Sequence, residues 1–151
     1  MKKLSVYLAR PMKGCKYQEV VDYYKNLKEI FDDFNIISHI PMAGEEKQDE
    51  NGFLVPYNYV SEPKMVDSAI FGRDMWMVRN CDVVFANLLK SKDAISIGTT
   101  MEIGWGKLLG KHVIICMEKD NIHNHPFITQ SADIIFEDEE SAINYIVELN
   151  S

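Results

Sequence analysis

The sequence predicts an α/β fold: a five-stranded parallel sheet, doubly wound, between two layers of helices. Two observations predict it. Apolar, β-rich runs alternate along the chain with segments of helical spacing, the pattern that covers a parallel sheet on both faces. One of those runs, "DVVFANL" at 82–88, is almost continuously apolar, as a strand buried on both faces must be.

The elements follow in order. "KLSVYLA" (3–9) reads as the first strand. "RPMKGC" then turns the chain, with Pro11 and Gly14 as punctuation. Residues 17–34 place Val20, Val21, Tyr24, Leu27, Ile30 and Phe31 at helical spacing. "NIISHI" (35–40) is a short second strand. The segment 41–62 is polar, with Gly44, Gly52 and Pro56, and such a stretch inside a compact domain is usually functional or mobile. Residues 62–81 read as a helix despite Gly72, with Val66, Ile70, Met77 and Val78 as its apolar stripe. After the 82–88 strand come a loop, a helix over about 99–109 and the strand "HVIICM". "ADIIFE" (132–137) is the fifth strand. "DEESAINYIVEL" closes the chain as a helix whose acidic first turn suits the helix dipole. Five strands and about four helices suggest a flavodoxin-like, Rossmann-like three-layer sandwich, expected to form a single domain over residues 1–151.

A chain of 151 residues can bury a real core, and its 46% hydrophobic and 26% charged residues are ordinary for a soluble protein. The net charge of -7 argues against a non-specific nucleic-acid binder, which needs a basic face. The N-terminus lacks the apolar core of a signal peptide, and no run approaches the roughly 20 apolar residues of a membrane span. Cys15, Cys81 and Cys116 are widely spaced and odd in number. The expectation is a cytoplasmic protein with reduced thiols.

Ligands of such sheets bind beyond the carboxyl ends of the strands, so the loops "RPMKG", "LKSKDAISIGTT" and "EKDNIHNHP" hold the candidate site. Glu102 follows "SIGTT", where the N-terminus of a helix creates a positive field. That field predicts a lowered pKa and an ionised carboxylate able to attack an electrophilic sugar carbon. A simple helix-end charge is the other reading. Asp74 borders the apolar stripe of its helix, near Phe71, Met75 and Val78. Such a carboxylate can carry a raised pKa and donate a proton, or it can pair with Arg73 or Arg79. Two carboxylates in different environments are how glycosidic bonds are cut.

Arg10 and Lys13 follow the first strand and suit a phosphate, or are solvated loop charges. No Walker loop occurs. Cys116, His123 and His125 match no standard zinc spacing, so no metal is expected. His125, before Pro126, reads as a pocket or subunit-contact residue. Trp76 and Trp105 read as core or interface rather than a base-stacking cage.

Taken together, "VYLARPM", "GRDMWMVRNCDVVFANL", "SIGTTMEIGWGKLLGKHVII" and "HPFI" resemble the nucleoside 2-deoxyribosyltransferase family, including its 2'-deoxynucleoside 5'-phosphate N-hydrolase relatives. The resemblance covers most of the chain and is weakest over 41–62. Its most specific element is "SIGTTMEIG", with Ser96, Gly98 and Glu102 at the matching places. The resemblance implies that Glu102 is a nucleophile, that Asp74 assists departure of the base, and that Tyr7 orients the nucleophile. It implies a covalent sugar–enzyme intermediate, retention of configuration, and no metal or organic cofactor. It also implies a small-molecule deoxynucleoside or deoxynucleotide substrate with a free nucleobase. A homo-oligomer is implied as well, in which the segment around His125 and Pro126 reaches a neighbour's site, and Met75, Trp76 and Trp105 are candidates for its interface.

One departure from the family pattern bears on substrate. Six positions before the nucleophile the transferases often carry an aspartate that binds sugar hydroxyls, whereas this chain has Ser96, as the nucleotide hydrolases do. Lys13 falls where those hydrolases place a phosphate-binding arginine. Three functions follow: a deoxyribosyltransferase, a hydrolase of deoxynucleoside 5'-monophosphates, and a non-catalytic nucleotide-binding domain. The conjunction of Glu102, Asp74 and Tyr7 speaks against the last.

Overall fold

The computed structural model of the chain describes residues 2–42, 49–54 and 66–151. Five parallel strands form one sheet: β1 (Ser5–Ala9), β2 (Ile37–His39), β3 (Val83–Asn87), β4 (His112–Cys116) and β5 (Ile134–Phe136). Their spatial order is β2-β1-β3-β4-β5. This is the doubly wound arrangement expected from the alternating pattern. The direction of winding reverses between β1 and β3, so the connections that leave those two strands diverge and open a crevice.

β1, β3 and β4 are the central strands and are buried almost end to end. Their Val, Ile and Phe content suits a sheet covered on both faces. β2 and β5 are edge strands of three residues, shorter than the apolar runs around them.

On one face, α1 (Tyr17–Asp33) and α5 (Glu139–Leu149) pack over Val6, Leu8, Val83, Phe85 and Ile114. α1 buries Val20, Tyr24, Leu27 and Phe31, a stripe at three- and four-residue spacing. α5 is capped by Asp138, whose side chain accepts the Ser141 N–H at 2.7 Å. On the other face lie α2 (Asp67–Asn80), α3 (Ile97–Leu108) and the single turn α4 (Pro126–Thr129), over Tyr7, Val84, Ala86, Val113 and Ile115. α4 is a fifth helix that periodicity could not reveal. It is started by proline at its first turn and by the His125 ring, which accepts the Phe127 N–H at 3.2 Å.

α3 lies close against the sheet because Gly106 has no side chain. A Cβ there would stand 2.8 Å from Val84 Cγ2 and 3.3 Å from Val113 Cγ2. The 41–62 segment lies mostly outside the described residues, and the expected helix start at 62–65 does so entirely. Its described part, residues 49–54, docks on the β1–α1 connection: Leu54 N–H donates to Cys15 O at 2.8 Å, and Tyr17 N–H to Gly52 O at 2.9 Å.

Candidate active site

Residue by residue, the site grows from Tyr7 in the middle of β1. Tyr7 pairs in register with Val84 of β3 and His39 of β2, and its side chain is wholly buried on the α2–α3 face. Its hydroxyl donates a hydrogen bond to Glu102 Oε2. The link between strand and helix is therefore direct.

The position of Glu102 departs from the sequence-based expectation. Ser96 is the N-cap of α3, accepting the Thr99 N–H at 3.3 Å, so the helix begins at Ile97 rather than Thr99. Glu102 lies in the second turn, beyond the strong field of the helix end, which fades within the first turn. It is 7% exposed. Burial dominates, and the carboxyl is pushed up from 4.5 to about 8 rather than lowered.

Asp74, at the start of the third turn of α2, is also buried. Its Oδ1 accepts from Arg73 Nη2 at 2.7 Å and Nε at 3.0 Å. Burial raises its pKa while the Arg73 charge opposes the rise. Asp74 is therefore ion-paired with Arg73, and burial holds its pKa above the ordinary value.

Glu102 and Asp74 line the same cavity, of about 360 Å³. Arg10 and Lys13 enter it from the β1–α1 loop, and Ser96, Gly98, Thr99 and Met101 from the start of α3. Lys13 is exposed, and Gly14 after it has φ +80, a backbone state that lets the loop turn sharply. The Arg10 guanidinium lies 4.6 Å above the Tyr23 ring, and its Nε donates to Pro11 O at 3.2 Å. The remaining lining comes from Met12, Leu54, Asp67, Ile70, Phe71 and Trp105. Phe71 and Trp105 meet edge to face, with ring centroids 5.1 Å apart, and form an aromatic wall.

Of the expected site residues, the fold thus brings together Glu102, Asp74, Tyr7, Arg10, Lys13, Ser96 and Gly98. His125 stands apart, exposed at the cap of α4 and outside this cavity. Trp105, expected in core or interface, lies in the cavity wall, while Trp76 is 58% exposed. Leu54, Asp67, Phe71 and Trp105 line the cavity without having been expected there from the sequence. For Trp105 a signal existed: it lies three residues from Glu102 and four from Met101, on one helical face. Among the described residues no group of three or more His, Cys, Asp or Glu gathers as a metal site would require.

The sequence profile of the family described as nucleoside 2-deoxyribosyltransferase matches residues 6–146. The chain belongs to this family. As a member of the nucleoside 2-deoxyribosyltransferase family it is an N-glycosyl-transferring enzyme with small-molecule partners. Similar solved structures agree on the fold. A 2-deoxyribosyltransferase from Bacillus psychrosaccharolyticus is 23% identical, with 93% of this chain and 91% of that one covered at a TM-score of 0.64. A CMP N-glycosidase from Clostridium botulinum is 16% identical, covers 94% and 97%, and has a TM-score of 0.56. A molybdenum cofactor binding protein from Rippkaea orientalis is 15% identical, covers 100% and 99%, and has a TM-score of 0.62. The last shows that this fold alone does not specify chemistry. A comparison with curated protein sequences finds no match. Among the described residues no helix is long and apolar enough to cross a membrane.

Proposed function

We propose that the protein cleaves the N-glycosidic bond of 2'-deoxynucleosides or their 5'-monophosphates through a covalent deoxyribosyl–Glu102 intermediate and transfers the sugar to another base. The observation that carries this reading is the pairing of two buried carboxylates in one cavity, one of them held by the Tyr7 hydroxyl.

In the first step an ionised Glu102 oxygen bonds to C1' as the C1'–N bond breaks. The bond's electron pair goes to the base nitrogen, and Asp74 in its acid form donates the proton that the departing base needs. In the second step a nitrogen of an incoming base attacks C1' and Glu102 leaves as a carboxylate. The proton shed by the incoming base returns to Asp74. Two inversions leave the configuration retained. Tyr7 orients the Glu102 carboxylate and stabilises its charge through the O–H donated to Oε2. The Phe71–Trp105 wall is suited to the flat face of a base. The cavity volume falls within the range of small-molecule sites.

A second reading, hydrolysis of deoxynucleoside 5'-monophosphates to free base and deoxyribose 5-phosphate, is favoured by the charge at one side of the cavity. Arg10 and Lys13 line it, and the helix cap is Ser96, a neutral donor that does not repel a phosphate dianion. In that case water takes the place of the second base.

A homo-oligomer with shared sites accords with the exposed apolar surface of α3 and α4, where Ile97 is 75%, Leu108 84% and Phe127 82% exposed. His125, which does not line its own cavity, would then serve a neighbour.

The deciding experiment incubates the protein with a deoxynucleoside or its 5'-monophosphate, with and without a free acceptor base, and separates the products chromatographically. Base exchange without free sugar supports transfer, and release of deoxyribose 5-phosphate supports hydrolysis. No reaction with any common base, together with equal behaviour of Glu102→Ala and wild type, would overturn the catalytic reading.

A further inference from the structure

One buried polar side chain stands outside the scheme above. His123, in the connection from β4 to α4, is 1% exposed. Its Nε2 accepts the backbone N–H of Ser96 at 2.8 Å. Its Nδ1 lies 3.0 Å from Asn121 Oδ1. The chemistry of the partners fixes the ring. A nitrogen that accepts an N–H carries no proton, and an amide oxygen can only accept, so His123 is neutral with its proton on Nδ1. The orientation of Asn121 is fixed in turn, because its Nδ2 donates to Leu88 O and to Glu118 Oε2, each at 2.7 Å.

These bonds form a brace. Glu118 Oε1 accepts the Lys90 N–H at 2.7 Å, Asn121 holds Leu88 O, and His123 holds Ser96 N. Three residues of the β4–α4 connection thus grip the β3–α3 connection at its start and at its end. The last grip falls on the N-cap of α3. Ser96, Gly98, Thr99, Met101 and Glu102 all line the cavity, and the first-turn N–H groups of a helix have no acceptor within it.

We propose that His123 is a positioning residue, whose neutral ring fixes the Ser96 backbone and so sets the N-terminus of α3 against the substrate. Its effect is on substrate binding more than on the chemical step, because Glu102 is held separately by Tyr7 from β1. The effect on turnover rests on the functional reading given above; the effect on α3 does not.

The test compares His123→Phe, which keeps a flat ring without an acceptor, with His123→Gln, whose amide oxygen can replace Nε2. Amide hydrogen exchange is measured over residues 95–101. Steady-state kinetics use whichever common deoxynucleoside or 5'-monophosphate the wild type turns over fastest. In His123→Phe, exchange at Ser96 should accelerate at least tenfold and KM should rise at least tenfold, with kcat within threefold of wild type. His123→Gln should recover both to within about threefold. Unchanged exchange in His123→Phe, or a loss of kcat at constant KM, overturns the proposal. If His123→Phe does not fold, the wild type decides by NMR. Coupling between the Ser96 amide and Nε2 across the hydrogen bond supports the proposal, and an Nε2-protonated ring overturns it. If the wild type turns over no nucleoside, the functional reading falls while the exchange and NMR results still judge the brace.

Discussion

Replacing Glu102 by glutamine should make the protein more stable at alkaline pH and leave it nearly unchanged at acid pH. Burial raises this carboxyl from 4.5 to about 8, so the folded chain prefers the protonated acid. The unfolded chain ionises it near the ordinary value. A group whose folded pKa is raised contributes stability that is fully present below the unfolded pKa and is lost as pH rises through the folded one. The window is therefore pH 4.5 to 8, with a slope of about 1.4 kcal/mol per pH unit inside it. The full displacement corresponds to an upper bound of about 5 kcal/mol, of which about 3 kcal/mol is already lost at pH 7. The Tyr7 O–H, which favours the charged form, lowers the measured value below that bound. Glutamine keeps an oxygen for Tyr7 but has no proton to lose. Urea denaturation of both proteins at pH 5, 7 and 9 reads the difference directly, since all other titrations cancel. A stability difference that stays constant within about 0.5 kcal/mol across that range, a tolerance set by the uncertainty of the extrapolation, would refute the claim that folding takes Glu102 out of water. This experiment needs no substrate.

Other outcomes are equally concrete. The proposed attack needs an ionised Glu102, so the rate should rise as pH passes about 8, and Tyr7→Phe, which removes the donor to that carboxylate, should move this rise to still higher pH in a pH–rate profile. Lys13→Ala should reduce turnover of a 5'-monophosphate at least tenfold more than that of the parent nucleoside, and equal losses on both would remove the phosphate argument. Gly106→Ala forces a methyl against Val84 and Val113 and should cost about 1–3 kcal/mol in thermal or urea unfolding; an unchanged midpoint would mean that α3 slides freely on the sheet. Below the ordinary histidine value of 6.5 the contribution of His39 and His123 to folding should decline, opposing the gain from Glu102, because burial depresses the pKa of both rings. Their stability is present above that value and lost as pH falls through the depressed ones. A His123→Gln variant should flatten this acid limb of the stability curve.

The architecture was legible because it rests on repeated local patterns. The apolar runs of β1, β3 and β4 and the stripe of α1 each state their burial in the sequence itself. Segment ends were less legible. Leu88 continues the apolar pattern and its N–H still donates to Cys116 O at 2.8 Å, yet the strand proper ends at Asn87. The sign of the Glu102 shift was misread for a related reason. A helix field can be inferred from neighbours in the chain, whereas desolvation depends on Tyr7, a residue 95 positions away, and on the packing of α2 and α3. His123 gave no signal at all, since a buried neutral histidine and an exposed one look alike in a loop. Leu54 reaches the cavity through an isolated bridge between Lys16 and Phe53 and the backbone bonds beside it, which no periodicity announces.

The alternation of side chains along β1 has a practical consequence. Tyr7 faces α2 and α3, whereas its neighbours Val6 and Leu8 face α1 and α5. Thermal tolerance and turnover can therefore be selected on different sides of one strand. Repacking the α1–α5 layer changes how long the protein survives heat while leaving the Tyr7–Glu102 pair untouched, provided Tyr23 is kept beneath Arg10. Any improvement in packing around Tyr7 and Ile103 also alters the surroundings of Glu102, so variants optimised there for durability are those in which a trade against rate should first be sought.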